Sequence, residues 1–165
     1  MKSTFWRLWV AALFIAPGIM GIGATAADAG GSPVPFSGSY AGTAAFGSNG
    51  APVFSGTGIA TQMGLSTSAG YVIFTAAPAT CAGGVPNDNY ETLAAANGDS
   101  FTIVAHDVAC PTGPGQYHGS GNWNVIPGSG TGHFTGVSGQ GTLDGNSDFG
   151  QGVFNMDLVG TLTEP

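Results

Sequence analysis

Basic side chains are almost missing from this sequence: Lys2 and Arg7 are the only two among 165 residues, and none follows Arg7. Phosphate neutralisation by Lys and Arg supplies most nucleic-acid affinity, so nucleic acid is excluded as a partner, and anionic membrane surfaces are disfavoured for the same reason. Charge of either sign is scarce, at 7% of the chain against roughly 25% in ordinary soluble proteins. Cysteine occurs twice, as Cys81 and Cys110, without the CxxC spacing of a redox or zinc site. No metal-ligand set and no cofactor motif is read. The stretch "GSGTGHFTGVSGQGTL" is rich in glycine, yet no helix and no lysine follow it, which excludes a phosphate-cradling loop.

What is present divides into two compositions. Residues 1–29, "MKSTFWRLWVAALFIAPGIMGIGATAADA", combine Lys2 and Arg7, an apolar run from Trp9 to Met20 and then small residues. That is the pattern of a secretory signal peptide, with cleavage after Ala26 or Ala29. Residues 30–165 are then one exported domain, secreted or periplasmic, with no stable membrane insertion once the signal is removed. Of nine acidic residues only Asp28 lies in the signal, leaving eight and no Lys or Arg, a net charge near minus eight. In an oxidising compartment Cys81 and Cys110 pair as one disulfide. Closing a loop of about 30 residues constrains the unfolded chain by roughly 3.6 kcal/mol in the chain-entropy model.

Glycine reaches 30 of 165 residues, but large apolar residues recur with period two, which points to ordered β-structure. In "FSGSYAGTAAF", Phe36, Tyr40 and Phe46 share one face while Ser37, Ser39 and Thr43 take the other. "VFSGTGIATQM" and "GYVIFT" continue as strands. The second is apolar on both faces and so predicted buried or contacted from both sides, which makes a homo-oligomer an expectation. "YETLAAANGDSFTIVAHDVAC" predicts a hairpin turning at Asn97-Gly98, "QYHGSGNWNVI" aligns Tyr117 with Trp123, and "VFNMDLVGTL" aligns Phe154, Met156, Leu158 and Leu162. In the glycine-rich stretch, Gly128 to Gly132 reads as a turn, Phe134 as an inward anchor, and Gly139, Gly141 and Leu143 as one face of the next strand. The fold class is all-β, about eight antiparallel strands closing a calycin-like barrel, with a two-sheet β-sandwich as the alternative. A membrane-spanning barrel is disfavoured by short strands and by aromatics that point inward.

"GSGTGHFTGVSGQGTL" resembles the signature "GGTGxFxGAxGxxxL" of the allene oxide cyclase and dirigent-type barrels, and of a set of small secreted bacterial proteins. "GTGIATQMGLST" and "ETLAAANGDSFTI" are similar to further elements of those bacterial proteins, so the likeness runs from about Phe54 to Thr161. It implies a barrel with a few polar residues inside an apolar cavity. His133 stands where those relatives often have a basic residue, Gln62 and Met63 replace a His-Leu pair, and no catalytic residue carries over.

Phe36, Tyr40, Phe46, Phe54, Phe101, Trp123, Phe154 and Met156 are the candidate lining of a hydrophobic pocket, because each falls on an inward face; the same residues equally suit a filled barrel. Glu91 is a candidate general base if buried, or a solvated strand residue if not. His106 and Asp107 are adjacent on a strand and point to opposite faces, while His118 and His133 read as surface positions. Asp144, Asn146 and Asp148 have alternating oxygen spacing but lack the glycine and the bidentate Glu of a calcium loop. The expected function is a non-enzymatic exported barrel that binds a small apolar ligand or serves as a stable extracellular module. The alternative is an isomerase or cyclase acting in the cavity, which a carboxylate or histidine buried beside the pocket would favour.

Overall fold

The computed structural model describes residues 31–165, so the signal segment lies outside the described residues. Alternation does what it predicts: along the first strand Phe36, Gly38, Tyr40 and Ala44 are buried while Ser37, Ser39, Ala41 and Thr43 face solvent. Eight strands follow one another as β1 (Val34–Phe46), β2 (Pro52–Ala60), β3 (Gly64–Phe74), β4 (Val85–Ala95), β5 (Ser100–Gly113), β6 (Gln116–Val125), β7 (Ser138–Asp148) and β8 (Val153–Thr163). Each pairs antiparallel with the next, and β1 pairs back onto β8 with Gly38 opposite Leu158. The result is a closed barrel rather than a sandwich, with no sheet edge left open among the described residues.

Closure at this strand number leaves an interior just wide enough for side chains, and the two poles fill it differently. At one pole Trp123 is fully buried, with Phe36 5.8 Å away edge-on and Phe101 5.9 Å beyond it. Gly141 and Gly160, paired across β7 and β8, provide the room: a Cβ on either would sit 2.7 Å from the indole ring. An aromatic laid over interior glycines is a device for coiling a sheet tightly. The indole nitrogen donates to the Thr142 carbonyl at 3.0 Å.

The glycine-rich stretch seals this pole. After β6 the chain makes one 3₁₀ turn, Gly132–Phe134, and drives Phe134 inward, 5.1 Å from Phe101. The anchor and strand are as the sequence predicts; the short helical turn is additional. The β4–β5 hairpin turns at Asn97 and Gly98, whose φ is +92°. Asp99, just beyond that turn, accepts from the His133 amide at 3.1 Å, tying the two connections together. The ends of the described chain meet here too, Gly31 N–H donating to the Glu164 carbonyl at 2.9 Å.

"GYVIFT" is not covered on both sides within the chain: Val72 is buried, but Tyr71 and Ile73 point outward and are each 49% exposed. The β-propensity of this run comes from its branched and aromatic residues, and period two places every second one outside. Tyr90 stacks on Tyr71 at 5.2 Å.

Candidate functional site

The opposite pole is open. Here the strand ends and turns leave a cavity of about 170 Å³, walled by Phe54, Val72, Leu143, Phe154 and Met156 and rimmed by Phe46, Phe74, Tyr117 and Phe149. Phe46 stacks on Phe149 at 4.5 Å, and Phe54 lies 5.2 Å from Phe154. Of the eight residues expected to line a pocket, Phe46, Phe54, Phe154 and Met156 do so. Phe36, Phe101 and Trp123 instead belong to the sealed pole, where their rings pack on one another. Tyr40 is buried and shares a hydrogen bond of 3.0 Å with the Ser66 hydroxyl.

One side of the cavity is polar. On β4 the inward series is Asn87, Asn89, Glu91 and Leu93, all buried. On β5 Phe101, Ile103 and Ala105 are fully buried, and the same face continues to Asp107 at the cavity. Period two fixes these positions, because Leu93 and Phe101 anchor the inward phase of the two strands. Asn87 sits opposite Asp107, and its amide donates to the Val85 carbonyl at 3.1 Å.

Glu91 is 0% exposed. Its Oε2 accepts a 2.6 Å hydrogen bond from Ser68, itself buried, while Oε1 has no partner. Gly70, across the ladder on β3, makes room for it, since a Cβ there would collide with the carboxyl group. Burial outweighs the opposing effects of the Ser68 bond and the neighbouring Asn89 amide and pushes the Glu91 carboxyl from its ordinary 4.5 up to about 7. Asp107 is raised by burial to about 6, partly offset by the Asn87 side chain, with the Asp88 carboxylate adding to the effect. Tyr40 is also pushed up, chiefly by burial. The barrel thus holds two carboxyl groups that exchange protons near neutrality, which is the range useful for general acid–base chemistry.

The other candidates face outward. His106 pairs with Asp88 at 2.6 Å on the outer surface, on the opposite face from Asp107. His118 lies 3.3 Å from Asp144, and His133 is 3.5 Å from Glu164 at the sealed pole. Asp144, Asn146 and Asp148 alternate along the outer side of β7, where Asp148 accepts from Gln116 at 2.9 Å and Asn146 donates to Asn155 at 3.2 Å. Among the described residues no three His, Cys, Asp or Glu side chains converge to hold a metal ion.

Cys81 and Cys110 are bonded, their Cα atoms 6.0 Å apart. The bridge ties the β3–β4 connection to β5 beside Val85 and Ala109, both of which line the cavity. Sequence reasoning missed Asn87, Asn89 and Asp107 as lining residues. Asp107 had a signal, since it extends an apolar inward face by one step. No protein-family model matches the chain, and no curated protein or solved structure matches it significantly.

Proposed function

We propose that this protein is an exported barrel whose open pole holds one small, mainly apolar molecule. The observation that carries the reading is the division of the interior: one pole is packed around Trp123, while the other keeps a cavity with aromatic walls and a buried polar side. Pockets for small molecules have this make-up, predominantly apolar with a few convergent polar groups. The disulfide is consistent with export. The likeness to allene oxide cyclase and dirigent barrels is in keeping with the same reading.

Native mass spectrometry of the protein taken from its own exported fraction tests this. A reproducible excess mass that is lost on denaturation is expected, and its value begins to identify the ligand. Bare protein from every preparation, together with no binding by small apolar molecules, sinks the proposal.

A second reading is favoured by one specific observation. Glu91 is a buried carboxyl beside the cavity with a proton affinity near neutrality, which suits proton transfer in an isomerase or cyclase. Turnover that follows a single ionisation near pH 7 and disappears in Glu91→Gln would move the protein into that class.

A further inference from the structure

The cavity's polar side holds two carboxyl groups and two asparagine amides, and no positive charge. Asn87, Asn89, Glu91 and Asp107 all line it, and each keeps a buried side-chain oxygen without a hydrogen-bond partner. Three of these side chains are more than nine-tenths buried, at 5%, 7% and 0% exposure. A buried acceptor without a donor costs about 1–3 kcal/mol, so this side of the cavity favours a ligand that donates hydrogen bonds. No Lys or Arg occurs after Arg7. The three histidines stand outside the barrel wall or at the sealed pole, engaged with Asp88, Asp144 and Glu164. A carboxylate or phosphate ligand would therefore enter beside Glu91 and Asp107 with nothing to neutralise it.

We infer that the ligand of this cavity is a small organic cation, an amine carried on an apolar aryl or alkyl body. The amine pairs with a carboxylate of the polar side, while the body lies against Phe54, Phe154 and Met156. Tyr117 and Phe149 at the rim present aromatic rings to the entering charge, an attraction that strengthens as water is excluded. The uncompensated negative charge of the whole chain draws cations toward such a cleft. This inference rests on the reading of the open pole as a ligand site, and the experiment separates the two.

The titratable groups facing the cavity are Glu91 from β4, Asp107 from β5 and Tyr117 from β6, with Tyr40 of β1 beneath Glu91 and Asp88 across the wall from Asp107. The remaining strands present glycine, serine, asparagine and apolar residues to it. Above pH 7 both inward carboxyl groups ionise, and below pH 5 both carry protons.

The test is isothermal titration calorimetry of the purified protein with three probes of one shape: 2-phenylethylamine, 2-phenylethanol and 3-phenylpropionate. At about pH 8 the amine is expected to bind at least about tenfold more tightly than the alcohol, as a charge-assisted hydrogen bond gives, and the carboxylate most weakly. That preference is expected to shrink at about pH 5, where the carboxyl groups are protonated. Asp107→Asn and Glu91→Gln keep side-chain shape, and at least one of them is expected to bring the amine-to-alcohol ratio close to one. Their circular dichroism establishes that each variant is folded before its ratio is read. Equal binding of amine and alcohol at pH 8, or tighter binding of the carboxylate, overturns the cation inference and leaves the cavity reading standing. No binding by any of the three overturns both.

Discussion

Glu91 accepts a hydrogen bond from Ser68 and is fully buried beside the cavity. Its folded-state carboxyl is raised to about 7 from 4.5, so between those values the folded chain holds a proton that the unfolded chain has released. The contribution is fully present below about pH 4.5 and is lost as pH rises through about 7. At about 1.4 kcal/mol per tenfold change in acidity constant, the loss is about 3 kcal/mol. Asp107 acts in the same direction between 3.8 and about 6. Urea midpoints are therefore expected to fall between about pH 4.5 and pH 8, and Glu91→Gln is expected to remove most of the Glu91 part of that fall. A variant with the same pH slope as the native protein would contradict this account. Glu91 was only half legible in the sequence. Both faces of β4 are polar, Asn87, Asn89 and Glu91 inside and Asp88, Tyr90 and Thr92 outside, so alternation along this strand gives no contrast between inside and outside.

Strands were more legible than their surroundings. On β1, β6 and β8 aromatic or large apolar residues alternate with Ser, Thr, Asn or Asp, so the inward face is written locally. Which inward residues meet a cavity is not a local property. Phe36 and Phe46 share a face of one strand, yet Phe36 is 1% exposed in the sealed pole and Phe46 61% exposed at the open rim. The difference arises because the β6–β7 connection folds Phe134 under one end of the barrel and no equivalent plug closes the other. The β3–β4 connection is held at the open end by Cys81–Cys110, across a sequence separation of 29. Replacing both cysteines with serine is expected to cost about 2–4 kcal/mol, read as a lower urea midpoint that matches the native protein under reductant. An unchanged midpoint would show that the connection is held by its other contacts alone.

Across residues 31–165 the Lys, Arg, Asp and Glu charge is of one sign. Residues 31–165 carry eight of the nine acidic side chains and no Lys or Arg, so the folded chain repels itself through solvent. Raising ionic strength from about 0.01 M to about 0.15 M shortens the screening length from about 30 Å to about 8 Å, and the thermal midpoint is expected to rise. A midpoint that falls with added sodium chloride would mean that the outward His–carboxylate pairs outweigh the repulsion. Closure of β1 onto β8 also fixes where the molecule can be held. Gly31 and Glu164 meet at the sealed pole, and the cavity opens at the other. An attachment made at Gly31 or at Glu164 therefore lies at the pole away from the mouth, and the barrel can be held at either residue with the cavity left uncovered.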